Sequence, residues 1–278
     1  MIISLIQTAR DREQELLRFI NSLINQGDEM LSQVQYIFVD QGNNRHLYAK
    51  IEQKVAQFIY VQIPPSSLSY ARNIGLKYAT GEIVSFPDDD CWYPESLLSY
   101  VFNELQNISI KGITGRVTNE NGICYNMYPQ SPQMLSPVNL CGASSIGMFL
   151  KRSDTLMFDE NIGVGTSKGI GSGEESDYLI RYIKEGNAVV YNPELVVYHP
   201  INLLKRDKDY LKKSFSYAIG ASYIAKKNKL GARYYLKLIV RPLAGVFVFA
   251  MKGDFYLSKR SWYIFKGRLK GLLTPIIE

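Results

Sequence analysis

Four times before residue 108 the chain repeats one pattern, an apolar run of strand length followed by a segment of helical period. Ile2–Ile6 precedes Glu13–Gln26, where Leu16, Leu17, Ile20, Leu23 and Ile24 fall on one helical face. Val34–Val39 ends at Asp40 and precedes a predicted helix over His46–Gln57. Phe58–Ile63, closed by Pro64-Pro65, leads into Ser69–Ala79, with Gly81 as the helix stop. Ile83–Phe86 runs into Pro87-Asp88-Asp89-Asp90, and Pro94 opens a helix to about Asn107. Parallel neighbours need crossover connections, so this alternation predicts an α/β fold with a mostly parallel sheet flanked by helices.

Beyond Lys111 the rhythm changes. Ile113–Thr118 and Ile123–Tyr128 flank a turn signal at Asn119–Gly122, and Gly142–Leu150 reads as a further strand. Residues Gly163–Gly173 contain five glycines and read as a mobile loop before a helix over Glu174–Lys184. Val189–Tyr191 and Leu195–Tyr198 read as short strands around Pro193, and from Asp207 onward only helical patterns remain.

Charge divides the chain. Residues 1–200 hold 15 Lys+Arg against 22 Asp+Glu, and residues 201–278 hold 17 against 4. A body of net −7 therefore carries a tail of net +13, which points to an anionic partner, nucleic acid or a membrane surface. The expected division is a catalytic body over 1–204 and a basic amphipathic helical tail over 205–278. At 46% apolar and 21% charged residues, wholesale disorder is excluded. Cys91, Cys124 and Cys141 lack CxxC spacing, so neither a disulfide framework nor a thiolate zinc site is expected. The opening Met-Ile-Ile-Ser-Leu-Ile reads as no signal peptide, and Pro242–Met251 as too short an uncharged run to cross a bilayer.

The densest chemistry lies at Asp88-Asp89-Asp90, directly after an apolar strand. In open parallel sheets ligands bind beyond the carboxyl ends of the strands. Adjacent carboxylates repel unless a cation neutralises them, and oxygen ligands suit Mg²⁺ or Mn²⁺ bridging a diphosphate. A solvated acidic turn before the next helix is the plainer alternative. Asp40 and Thr8 end strands on the same edge, where they would meet a base or ribose, or form an Asx turn and a helix cap. Arg72-Asn73 stands near a helix N-terminus, where a cation needs an anion close by. Glu174, Glu175 and Asp177 open a helix behind the glycine loop. One glutamate there would act as a general base, while Asp177 and Arg181 form an i,i+4 pair that would hold the helix. His199 ends the last strand and would complete a metal shell or serve structure alone.

Together, Thr8, Asp40, Ala71-Arg72-Asn73, Gly75, Gly81, Asp88-Asp89-Asp90, Gly173-Glu174-Glu175, Asp177, Arg181 and Tyr198-His199 resemble glycosyltransferase family 2, of GT-A fold and bacterial cell-surface polysaccharide type, over about residues 1–200. The resemblance implies that Thr8 and Asp40 bind the nucleotide base, Asp88 the ribose and Asp90 the divalent metal, Mn²⁺ or Mg²⁺, with Asp89 alongside. The family's Glu-Asp acceptor motif falls on Glu174-Glu175, so the base would be Glu175, with Glu174 the other candidate. The family's usual Thr-Tyr-Asn-Arg reads here Thr8-Ala9-Arg10-Asp11-Arg12.

The function implied is inverting transfer from a nucleotide-diphosphate sugar, a UDP-sugar by preference, to a glycan or lipid-linked acceptor. Arg72 and the metal would offset charge on the leaving diphosphate. The tail would hold a cytoplasmic enzyme peripherally on the inner face of the cell membrane. A nucleotidyltransferase of similar fold, or a non-catalytic basic module gripping nucleic acid or membrane, are the alternatives; no RRM, KH or zinc-finger pattern supports nucleic acid.

Overall fold

The computed structural model describes residues 1–124, 126–200 and 206–277. In chain order the elements are β1 (Ile3–Ala9), α1 (Glu13–Ile24), α2 (Asp28–Leu31), β2 (Val34–Asp40), α3 (Ala49–Glu52), β3 (Gln57–Gln62), α4 (Leu68–Leu76), β4 (Ile83–Ser85) and α5 (Leu97–Leu105). There follow β5 (Gly112–Thr118), β6 (Gln133–Met134), β7 (Met148–Lys151), α6 (Glu174–Lys184), β8 (Val189–Tyr198), α7 (Lys208–Lys227), α8 (Ala232–Met251) and α9 (Phe255–Leu273).

The strands form one eight-stranded sheet in the order β3-β2-β1-β4-β7-β5-β8-β6. β1 to β4 are parallel, and every residue of β1 and β2 is buried, as expected for strands covered on both faces. β7 runs antiparallel to both β4 and β5, and β8 runs parallel to β5. Two reversals restore the original direction. The carboxyl end of β8 therefore emerges on the same edge as those of β1, β2 and β4.

The contacts divide into two compact units, Met1–Ser66, Tyr70–Phe158 and Tyr182–Ile201 in the first, and Ser67–Ser69, Asp159–Arg181 and Asn202–Glu278 in the second. The expected division between residues 204 and 205 falls outside the described residues. The second unit joins the C-terminal helices to the glycine loop and the start of α6.

Several elements differ from the sequence reading, each for a local reason. The helix expected over His46–Gln57 contracts to a tight 3-10 turn at Arg45–Tyr48 and the single turn α3, since only Tyr48 and Ile51 are fully buried there. The strand expected over Ile123–Tyr128 reduces to one bridge between Thr118 and Cys124, and Tyr125 within it lies outside the described residues. Asn119 Oδ1 accepts from the amides of Asn121 and Ile123, a local turn that competes with a ladder. The Gly142–Leu150 strand begins only at Met148, after a 3-10 turn over Ser145–Gly147. The two strands around Pro193 are one strand, β8. Its register jumps from Thr114↔Tyr191 to Arg116↔Val196, so residues 192–195 arch over Gly115, where a Cβ would collide with Leu195. β6 pairs only with Val190 and Tyr191, so Pro193 removes no ladder hydrogen bond.

The tail also corrects an expectation. The uncharged run Pro242–Met251, expected to be too short to cross a bilayer, is part of α8, which runs unbroken through Arg241-Pro242 for 20 residues and, by length and composition, is long and apolar enough to cross a membrane. Proline lacks an N–H, so the carbonyl of Leu238, four residues back, loses its helical partner. The guanidinium of Arg268 on α9 donates to that oxygen instead.

Candidate active site

The parallel strands set the first constellation. The chain leaves β4 into Asp88-Asp89-Asp90, and the backbones of Trp92 and Tyr198 pair through two 3.0 Å hydrogen bonds. That bridge ties the segment after the acidic cluster to the end of β8, which brings His199 Nε2 to 3.0 Å from Asp90 Oδ1. Gln7 of β1 donates to the Asp88 carbonyl at 3.0 Å, and Arg18 of α1 to the Asp90 carbonyl at 3.0 Å with its guanidinium 3.8 Å over the Trp92 ring. The cluster's backbone is thus held from three sides, which leaves its carboxylates to face their counter-charges.

Each carboxylate meets a cation. Arg72 is buried and donates from Nη2 to Asp88 Oδ1 at 2.8 Å and to Ser145 Oγ at 2.9 Å. Arg12, just past the end of β1, reaches Asp89 Oδ2 and Asp90 Oδ2, each at 3.3 Å. Burial, reinforced by the charges of Asp90 and Asp88 and opposed by Arg12, pushes the Asp89 carboxyl up to about 6. Asp90 shifts the other way, because the His199 hydrogen bond outweighs its burial. Burial alone would lower the His199 pKa, but the hydrogen bond and charge of Asp90 outweigh it and hold the imidazole above its ordinary value.

His199 Nδ1 lies 2.7 Å from the Pro200 carbonyl, which can only accept, so Nδ1 carries the proton. Nε2 therefore faces a carboxylate oxygen, an arrangement that calls for a second proton or a cation between them. A ligating histidine holds its outer N–H on a carbonyl in the same way. Asp90 and His199 thus fit a divalent cation as two of its ligands. Among the described residues no three such side chains converge into a fuller protein shell, so other ligands would come from a bound molecule or water.

The remaining strand-edge residues do quieter work. Asp40 is fully buried, and its carboxylate accepts from Gly42 N (2.8 Å), Asn44 N (2.7 Å), Asn44 Nδ2 (2.8 Å) and Tyr60 Oη (2.9 Å). It shapes its own loop as an Asx turn. Thr8 is nearly buried beside Val39 in the β1–β2 ladder. Asn73 exchanges two hydrogen bonds with the Phe158 backbone, at 2.8 and 2.9 Å, and so pins the ring that lies 5.4 Å from the Arg72 guanidinium.

The second constellation belongs to the other unit and is built on the start of α6. Glu174 and Glu175 occupy its first turn, where the helix N-terminus favours negative charge. Glu174 is buried against Gly163, where a Cβ would sit 2.8 Å from its Oε2; Glu175 is half-buried. Asp177 is wholly buried and accepts from Arg181 Nε, Lys227 Nζ and Asn228 Nδ2, all at 2.8 Å. Lys227 also bonds Asp159 at 2.7 Å. The clasp thus grips the chain on both sides of the glycine loop. α7 lies against that loop closely: a Cβ on Gly171 would strike Ser216, on Gly173 would strike Ile224, and on Gly220 would strike Ser172.

The structure thus brings Asp88, Asp89, Asp90, Arg72 and His199 together, and separately Glu174, Glu175, Asp177 and Arg181. Arg12, Arg18, Lys227 and Asn228 join them without having been predicted. Arg12 was accessible to the strand-end argument, since it follows β1 on the edge where β4 delivers the acids. Lys227 and Asn228 carry no local signal that separates them from the rest of a basic tail.

The sequence profile described as Glycosyl transferase family 2 matches residues 4–171. A search of curated proteins finds no match. Among solved structures, the mannosyltransferase PcManGT from Pyrobaculum calidifontis, in complex with GDP-Man and Mn²⁺, superposes with a TM-score of 0.67 at 12% identity, covering 97% of this chain and 86% of that one. S. aureus TarS superposes at 0.60 and 14% identity, covering 93% of this chain and 54% of that one. Its 1–349 portion in complex with UDP-GlcNAc superposes at 0.61 and 14% identity, covering 93% and 90%. At such identities the likeness establishes the fold, a GT-A sheet with C-terminal helices.

Proposed function

The chain belongs to glycosyl transferase family 2, and from that premise we propose that it is an inverting, divalent-cation-dependent enzyme. It moves a sugar from a nucleotide-diphosphate donor, a UDP-sugar by preference, to a hydroxyl of a glycan or lipid-linked acceptor during cell-surface polysaccharide synthesis. The observation that carries this reading is the convergence of Asp88, Asp89, Asp90, Arg72, Arg12 and His199 at the carboxyl edge of the sheet. Structural relatives solved with GDP-Man and Mn²⁺ and with UDP-GlcNAc support the donor class.

In this reading Thr8 and the loop shaped by Asp40 receive the nucleotide base, and Asp88 the ribose. Asp90 and His199 would hold Mn²⁺ or Mg²⁺, which when bound neutralises charge on the diphosphate. Arg12 and Arg72, already facing the acids, supply fixed positive charge to the same leaving group. Asn73 positions Phe158 and through it Arg72. Glu175 takes the proton from the acceptor hydroxyl as its oxygen bonds to the anomeric carbon. The bond from that carbon to the diphosphate breaks on the opposite side, the nucleoside diphosphate leaves, and the configuration inverts. Glu174, Asp177 and Arg181 hold the base-bearing helix. The basic C-terminal helices keep the enzyme on the cytoplasmic face of an anionic membrane.

The test is a donor panel read by nucleoside diphosphate release, with Mn²⁺, Mg²⁺ or chelator, with and without an acceptor extract. NMR of the product reports the anomeric configuration. Acceptor-dependent release that chelator abolishes is the expected result. Pyrophosphate as the product would reassign the site to nucleotidyl transfer, and no turnover across the panel would reject the reading.

A further inference from the structure

α8 leaves its outward face uncovered. Leu236, Val240, Phe247, Val248 and Met251 are 46–88% exposed, and Phe255 continues the patch at 74%. They share one broad side of the helix, and Arg233, Lys237 and Arg241 stand exposed among them on that same side, in its N-terminal half. α8 contains no acidic residue. Its other flank packs on α9, and Pro242, the buried residue of the helix, faces inward with the Leu238 carbonyl capped by Arg268. An apolar stripe of this length on a monomer calls for an occupant.

Resting on the proposed location at the membrane, we infer that α8 is the element that enters the lipid, lying in the plane of an anionic bilayer rather than crossing it. The apolar stripe sinks to the acyl boundary, while Arg233, Lys237 and Arg241 extend their charged ends to the headgroups. Charge complementarity selects the occupant. The segment 201–278 carries 17 cations against 4 acids, so a second copy meets like charge whereas an anionic leaflet attracts it. The same three cations argue against a crossing helix, because crossing places Arg241 near mid-bilayer.

The test is co-sedimentation of the full chain with phosphatidylcholine vesicles, alone or mixed equally with phosphatidylglycerol. The native chain binds the mixed vesicles, and alkaline carbonate with high salt releases it. The double change Val240→Glu with Phe247→Glu, at exposed positions that leave the melting temperature unchanged, weakens binding by tenfold or more. The triple change Arg233→Glu, Lys237→Glu and Arg241→Glu weakens it by roughly a hundredfold or more, at about fivefold per cation. Native binding that both variants retain in full would overturn the role of α8 and leave the membrane location standing. No binding by the native chain to either vesicle would overturn both. Retention through carbonate extraction means a crossing helix, and a vesicle-indifferent dimer split by the double change means a second copy. Either result rejects the inference.

Discussion

The acids at the sheet edge and the acids around α6 are both matched by cations, yet in opposite ways. At the sheet edge the pairs are open. Arg12 spans two carboxylates at 3.3 Å each, Asp89 and Asp90 stay partly in solvent, and the charges can be shared with an incoming ligand. Around α6 the pairs are closed. Asp177 has no exposure and three donors at 2.8 Å, so its acceptor capacity is spent on holding chain segments. The first arrangement is suited to binding and the second to positioning. Charge density alone, which is high in both, does not distinguish them; burial and distance do.

Substitutions can break this contrast. Glu175→Gln keeps shape and removes the proposed base, so turnover is expected to fall by about 10²–10⁴ while donor affinity stays within twofold. Single-turnover rates at saturating donor, compared with Glu174→Gln, decide which carboxylate acts, and a catastrophic loss confined to Glu174 would reassign the base. Asp90→Ala at the open site should lower the rate by roughly 10²–10³ and abolish the Mn²⁺ dependence of donor binding without lowering the melting temperature. Calorimetric donor titration with and without Mn²⁺ checks this. His199→Ala should cost ~10-fold in the same dependence.

The closed site should respond in stability first. Lys227→Met leaves the buried Asp177 and the half-buried Asp159 short of a donor and should cost ~2 kcal/mol in chemical denaturation, with turnover falling but donor affinity unchanged. A loss of donor affinity instead would erase the distinction between the regions. The smallest effect is acid sensitivity. Burial would raise the Asp159 carboxyl, but its bonds to Lys227 and Asn161 hold it below the ordinary value. A depressed carboxyl lends stability above its unfolded pKa of about 3.9, and that stability is lost as pH falls through the folded value. The midpoint of acid unfolding should therefore rise in Lys227→Met, as followed by circular dichroism.

The sheet and its functional edge were legible because local periodicity suffices for them. Four apolar runs with helical segments between force parallel strands, and parallel strands force Ala9, Asp40 and Asp88 to one side. His199 reached that side through two reversals at β7 and β5, which no local pattern encodes, although its place at a strand end was read correctly. β6, two residues long, is too short to carry a period, whereas β7 was read as a strand with its start placed too early. Arg12, Arg18, Lys227 and Asn228 were missed because the acids and carbonyls of the two constellations that they hold lie 50 to 78 residues away in sequence. Such pairing depends on packing geometry, which composition does not reveal. The Arg268 cap that lets α8 continue through Pro242 belongs to the same class.

The close fit of Gly171 and Gly173 against α7, and of Gly220 against Ser172, has a consequence for modularity. The C-terminal helices are interlocked with the segment that bears Glu174 and Glu175, with no room for a methyl group at three points along the seam. A chain cut near Leu204 loses Lys227, Asn228 and the whole packing partner of that segment, so the segment is not expected to keep its fold without them. Nor are another protein's C-terminal helices expected to fit at that point unless they bring a glycine and a lysine to the same two turns. Recombination between relatives would have to exchange the glycine loop and the helices as one inheritance.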